Sequence, residues 1–243
     1  MHIDERTCGW AYQATAVLAL LIALLLPSAR STVPPDRRRQ YVALQAITLL
    51  GAIVGAKLAM LAGDWGWPRY PVDLDHALFS GKSLVGGLLG GFLCAELAKP
   101  WFGWREPPND WFACKLLVSI GIGRLGCILA GCCRGLPTTS RFAIVYSDGI
   151  PRLPVTTLEV AFHALLFLLF WRCWRLGSLR GRLFGLYLLL YGVFRVMTEP
   201  LRETPKLMAG FSVYQLLALF LIAAGLWSLL RSLEQCAPEG TLG

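Results

Sequence analysis

Two arginines embedded in apolar stretches set the chemistry open to this chain. Arg124 follows Trp111 by 13 residues, and Arg195 follows Leu183 by 12, each inside a run too apolar for an ordinary surface helix. At helical rise they stand about 20 Å and about 18 Å from the same edge of a membrane. In a hydrocarbon core of about 30 Å, both guanidinium groups then reach one level, roughly 10 Å below the opposite surface. An arginine at such depth costs at least about 2.5 kcal/mol on insertion scales and marks a functional pathway by default. Tyr191, Arg195 and Glu199 recur at i, i+4 and i+8, which makes one polar stripe on a helix. Glu159 and His163 share a face of the preceding run, entering from the other side. Converging guanidinium groups make an anion site whose planar fork suits phosphate oxygens. The abundant anion at that level is a phospholipid headgroup, so the spacing predicts a phosphate pocket open sideways to the outer leaflet. The competing reading is purely architectural: Arg195 with Glu199 and Arg124 with Glu159 would be buried ion pairs that only set helix register.

A second constellation lies beside the first. Cys127, Cys132 and Cys133 cluster just after Arg124. Three readings stay open: small apolar packing at a helix end, a disulfide on an oxidising side with Cys8 as a partner, or a thiol beside Arg124 whose lowered pKa makes it a nucleophile. The chain has no zinc-finger spacing and no phosphate-binding glycine loop.

The elements that must position these groups are membrane helices. Hydrophobic residues make up 56% of the 243-residue chain and charged ones 16%, with a mean hydropathy of +0.55. A soluble domain carries about a quarter charged residues. Backbone amides in lipid must pair internally, and apolar runs without strand-like alternation do so as helices. The expected fold is an all-α polytopic helical bundle of about seven transmembrane helices, near 10–27, 42–62, 84–99, 111–131, 155–172, 183–199 and 210–230. These form a single membrane domain over 1–243, with a short extracytoplasmic loop region at 132–154. The first run ends in small residues like a signal peptide, but its leading segment is mixed in charge and a basic loop follows, so it reads as a span. The formal charge of +8 comes from basic residues in short loops. It is therefore assigned to topology and anionic lipid rather than to nucleic acid. Arg30, Arg37, Arg38 and Arg39 in one loop and Arg172, Arg175, Arg180 and Arg182 in another place the N-terminus outside and the C-terminus in the cytoplasm. Gly86, Gly87, Gly90 and Gly91, then Gly121, Gly123 and Gly126, suit close helix packing. Gly86 and Gly87, at the outer mouth of their span, could also offer bare backbone to a headgroup.

Several stretches carry a resemblance. Gly123-Arg124-Leu125-Gly126-Cys127, with Gly131, Gly135, Leu136, Pro137 and Thr138, resembles the signature G-R-[IL]-G-N-F-x-N-G-E-x-x-G-R-P-T of prolipoprotein diacylglyceryl transferases. Ser83-Leu84-Val85-Gly86-Gly87-Leu88-Leu89-Gly90 resembles that family's S-F-H-G-G-L-L-G segment, and Gly51 to Leu58 its G-x-I-x-G-A-R-L. The stretch from Leu183 to Arg195, with Glu199 and Arg202, resembles L-F-G-L-x-L-I-L-Y-G-x-F-R-F-x-x-E-x-x-R, and Glu159 stands at the Glu of P-S-Q-L-Y-E. The similarity runs in order from about residue 40 to 230.

The resemblance implies a transferase of the bacterial cytoplasmic (inner) membrane. Its reaction moves a diacylglyceryl group from phosphatidylglycerol to the lipobox cysteine of a prolipoprotein and releases glycerol phosphate, with no metal or other cofactor. It assigns Arg124 and Arg195 to the leaving phosphate, Tyr191 to a hydrogen bond, and Gly86 and Gly87 to the lipid site. Glu159, His163, Glu199 and Gly135 are expected around the substrate, and Cys127 and Cys132 at the reacting centre. The departures fall inside the motifs. Val85 replaces the family histidine, Cys127 its asparagine, Cys132 its glutamate and Leu136 its arginine, with Arg134 close by. The head region between 140 and 154 is shortened. If the histidine accepts the thiol proton, His163 or His76 could compensate; alternatively, a thiol beside two arginines is already partly ionised and needs no strong base. A paralogous transferase with another acceptor is the second reading, a thiol oxidoreductase built on the outer cysteines the third, and a transporter with midplane charges the fourth.

Overall fold

The computed structural model describes residues 13–15, 17–19, 21–22, 34–64, 83–104, 110–146, 148–207 and 210–236. Six long helices appear among them: α1 (Arg38–Asp64), α2 (Leu84–Ala98), α3 (Asp110–Leu129), α4 (Val155–Arg175), α5 (Leu183–Thr198) and α6 (Val213–Cys236). A two-stranded hairpin, β1 (Ile144–Val145) with antiparallel β2 (Pro151–Arg152), lies between α3 and α4. The all-α polytopic expectation holds. Four helices are long and apolar enough to cross a membrane: Pro35–Asp64 (α1 with its leading 3-10 turn), Asp110–Leu129, Val155–Arg175 and Val213–Leu233. The other two are shorter, at 15 and 16 residues, but each runs into a 3-10 turn, Lys99–Phe102 and Glu199–Leu201. Helix and turn together reach about 30 Å, the depth of a hydrocarbon core. Leu49, Leu50, Ile53, Val54 and Leu58 on α1, and Leu165, Leu168 and Leu169 on α4, are exposed. Such apolar faces are stable against lipid and are a liability in water.

The chain forms two compact units. The first gathers the described residues of Met1–Arg30, Asn109–Arg180 and Pro200–Glu203; the second those of Ser31–Pro108, Gly181–Glu199 and Thr204–Gly243. In the first, α3 and α4 run antiparallel: Trp111 stacks near Trp174, with ring centroids 4.7 Å apart, while Gly121 lies against His163. Helical backbone at 17–19 supplies the Ala19 carbonyl to the Ser119 hydroxyl, 2.8 Å away.

In the second unit, α1 and α2 meet along a glycine seam. A Cβ on Gly90 would stand 2.4 Å from the Gly51 carbonyl, and one on Gly55 would stand 2.5 Å from that of Gly86. Facing G-x-x-x-G pairs let the backbones touch, which replaces the hydrophobic drive that lipid lacks. Between α5 and α6, Gly185, Gly192 and Gly225 do the same. The start of α6 is closed by a capping box. The Ser212 amide donates to Gln215 Oε1 at 2.9 Å, and the Gln215 amide donates to Ser212 Oγ at 3.1 Å.

Candidate active site

In the first unit the site is built around Glu159, fully buried on α4. Its Oε1 pairs with Arg124 Nε from α3 at 3.1 Å, and its Oε2 accepts from Arg202 Nη2 at 2.6 Å. One carboxylate thus serves two guanidinium groups, and the trio keeps one positive charge. Arg202 is 4% exposed, and its Nε finds no acceptor among the described residues. A buried donor left unmade costs about 1–3 kcal/mol, so the cluster is suited to a further anionic acceptor.

Backbone straps hold Arg202 there. Gly135 bridges to Arg202, the Leu136 amide donates to the Leu201 carbonyl at 2.9 Å, and the Leu153 amide donates to the Leu136 carbonyl at 3.0 Å. Residues 135–137 are therefore laid between the 201–202 and 152–153 segments. Gly135 is required by this close approach, since a Cβ there would stand 2.3 Å from the Leu153 carbonyl. Arg152 adds a link, donating to Glu203 at 2.6 Å and to Asp148 at 3.0 Å. Asp148 also accepts from Arg134 at 2.8 Å and from the Ile150 amide at 3.1 Å. That amide bond leads in holding the Asp148 carboxyl below its ordinary range, with Arg152 and Arg134 adding to it.

His163 lies one turn beyond Glu159 and is completely buried; its Nδ1 is 2.7 Å from the Glu159 carbonyl. A carbonyl only accepts, so Nδ1 carries the proton and donates it. In the neutral ring Nε2 is then the basic nitrogen.

Two of the three thiols border Arg124. Its Nη1 is 3.9 Å from Cys127 Sγ and 3.6 Å from Cys133 Sγ. All three sulfurs lie within 4.8 Å of one another. The chain turns back there through two left-handed residues, Gly131 at φ 60° and Cys133 at φ 57°. For a non-glycine residue that conformation costs about 1–3 kcal/mol. The Thr156 hydroxyl holds it by donating to the Cys133 carbonyl at 2.9 Å. Hydrogen bonds from the Cys127 and Cys132 thiols, with the charges of Arg124 and Arg202, keep the Cys133 thiol below its ordinary range.

In the second unit, Arg195 donates to Glu199 at 2.5 Å, one helical turn away. Glu199 also accepts from the Ser212 hydroxyl at 3.2 Å, and its backbone carbonyl accepts from Lys206 Nζ at 3.2 Å. Tyr191 is fully buried, with centroids 5.8 Å from the Tyr187 ring and 6.3 Å from that of Phe194.

The expected groupings Arg124 with Glu159 and Arg195 with Glu199 are both present, the first in one unit and the second in the other. Gly86 and Gly87 are turned toward α1. A Cβ on Gly86 would stand 2.2 Å from that of Ala59, so close packing requires glycine there, whereas one on Gly87 would stand 3.4 Å from the Ala52 carbonyl, an ordinary contact. Val85, at the family's histidine position, is buried. His76 and Cys8 lie outside the described residues. Arg202 was read only as part of a motif, yet it shares the central carboxylate. Its signal was the three-residue step from Glu199, which carries it just past the helix end.

Comparison with known proteins agrees with this arrangement of motifs. The family model described as prolipoprotein diacylglyceryl transferase matches residues 6–231. A phosphatidylglycerol–prolipoprotein diacylglyceryl transferase of Clostridium tetani is 27% identical over 238 residues, covering 90% of this chain and 91% of its own length. A second enzyme of that name, from Clostridium perfringens, is 25% identical over 226 residues, covering 89% and 88%. The Nitrosospira multiformis protein is 30% identical over 206 residues, covering 80% and 71%. With its signature arginine paired to a buried glutamate and its motifs in order from end to end, this chain belongs to the prolipoprotein diacylglyceryl transferase family.

Proposed function

We propose that the protein transfers the diacylglyceryl group of phosphatidylglycerol to the lipobox cysteine of a prolipoprotein, at the outer leaflet of the bacterial cytoplasmic membrane, with its N-terminus outside. The observation that carries this reading is the Arg124–Glu159–Arg202 cluster, a buried arrangement with one positive charge in excess. The thiolate attacks the glyceryl carbon and a thioether bond forms. The carbon–oxygen bond to phosphate breaks, and glycerol phosphate leaves with the electron pair. Negative charge grows on that phosphate, and prepositioned guanidinium groups stabilise it without reorganising. Arg124 and Arg195 take this role, joined by Arg202. The thiol proton goes to His163 Nε2, the position that Val85 cannot fill. Glu199 fixes Arg195, Tyr191 supports it, and Gly135 shapes the strap that holds Arg202. Gly86 and Gly87 help line the lipid site. Cys127 and Cys132 belong to the reacting centre, with Cys127 Sγ 3.9 Å from the guanidinium of Arg124.

The test is mass spectrometry of a lipobox peptide incubated with purified protein in phosphatidylglycerol vesicles. A gain of one diacylglyceryl group with release of glycerol phosphate is expected. An unmodified peptide, with phosphatidylglycerol consumed onto some other acceptor, would instead favour a paralogous transferase. Val85 in place of the family histidine is the feature that speaks for that second reading.

A further inference from the structure

We propose that Cys127, Cys132 and Cys133 form a three-thiolate site for a soft monovalent metal ion, copper(I). Three sulfurs sharing an ion at about 2.3 Å each stand about 4 Å apart, so sulfurs already within 4.8 Å need only a small closure. The site is assembled from two directions. Cys127 projects from the last turn of α3, while Cys132 and Cys133 return on the turn that follows. That turn is tied down by the Cys132 amide donating to the Cys127 carbonyl at 3.2 Å, and by Thr156 on the Cys133 carbonyl.

The ligand set selects the ion. Among the described residues no carboxylate or imidazole joins the three sulfurs, so hard ions lack oxygen ligands and tetrahedral zinc lacks a fourth protein ligand. Thiolates alone suit copper(I). Binding is a ligand exchange without redox change: three thiols lose their protons to solvent, and a complex of two negative charges forms. The Arg124 guanidinium, 3.6 Å and 3.9 Å from two of the sulfurs, offsets that charge. Cys132 and Cys133 are exposed, which leaves a route of entry.

The experiment titrates the full-length, reduced protein in detergent with copper(I) under anaerobic conditions, against a chromophoric copper(I) chelator. One ion per chain is expected, with a shell of three sulfurs in X-ray absorption. Copper should protect Cys127, Cys132 and Cys133 from alkylation and leave Cys94 and Cys173 as reactive as before. Each of Cys127→Ser, Cys132→Ser and Cys133→Ser should weaken retention at least about 10–100-fold, the loss seen even for outer-shell changes at metal sites. Cys173→Ser should not. Nitrogen or oxygen in the copper shell of the wild-type protein overturns the proposal, and that reading needs no variant to fold. Copper held by Cys132→Ser as tightly as by the wild type would do the same.

Discussion

Arg195, buried, and Arg124, half-buried, both sit in helices and both pair with a glutamate, but the two pairs are built differently. Arg195 meets Glu199 across one helical turn, a contact that any helix through those residues would make. Arg124 meets Glu159 from another helix, and that carboxylate is shared with Arg202, which is 43 residues further along the chain than Glu159. The first pair balances its own charge. The second keeps a positive charge in excess, because one carboxylate faces two guanidinium groups. A local pair can hold an arginine in a membrane; a shared carboxylate can hold two and still leave net positive charge for an anion.

The sharpest way to break this contrast is at the carboxylates. Glu159→Gln removes a carboxylate from two guanidinium groups and Glu199→Gln from only one. The loss of a partner from a buried pair costs about 3–5 kcal/mol. Glu159→Gln should therefore lower the thermal unfolding midpoint in detergent more than Glu199→Gln, and equal losses would remove the distinction.

Next comes the chemistry. Arg124→Lys cannot reach Glu159 through Nε and the thiols through Nη1 together, and it loses the planar fork. Transfer to a lipobox peptide should fall about 10²–10³-fold in turnover, the usual cost of one lost donor to a developing anion. A change confined to KM would assign Arg124 to ground-state binding alone.

The glycine seam of the second unit sharpens the comparison from the side of packing. Gly90→Ala drives a methyl group into the Gly51 carbonyl and the Gly55 Cα, both backbone atoms. Overpacking of this kind costs about 1–3 kcal/mol. Gly123→Ala, where a Cβ meets nothing within 4 Å among the described residues, should unfold no lower than the wild-type midpoint.

The smallest effect is at Asp148. Its folded pKa is depressed, so its contribution is complete above the ordinary value of 3.8 and is lost as pH falls through the lower folded value. Amide exchange at Ile150, measured after brief acid pulses, should accelerate only below that ordinary value. An onset at or above it would show that the hairpin turn does not depend on the carboxylate.

Helix type was legible because each long apolar run must satisfy its own backbone. The predicted run 155–172 became Val155–Arg175, and 183–199 became Leu183–Thr198. The pairing of Arg195 with Glu199 was equally legible, because a spacing of four on a helix is itself a distance. Other features had no such local rule. The close approach at Gly86 is one: that Gly55 and Ala59 of α1 lie against it follows from no spacing within α2.

What the amino-acid order determined by itself is whatever depends on periodicity: which segments enter the membrane, which faces are polar, which charges lie one turn apart. Tertiary structure alone decided that Arg202 reaches Glu159, and that a left-handed turn brings Cys132 and Cys133 back to Cys127. The physical reason is range. Helical spacing fixes neighbours over a few residues, whereas contacts carried by straps and turns depend on where distant backbone is held.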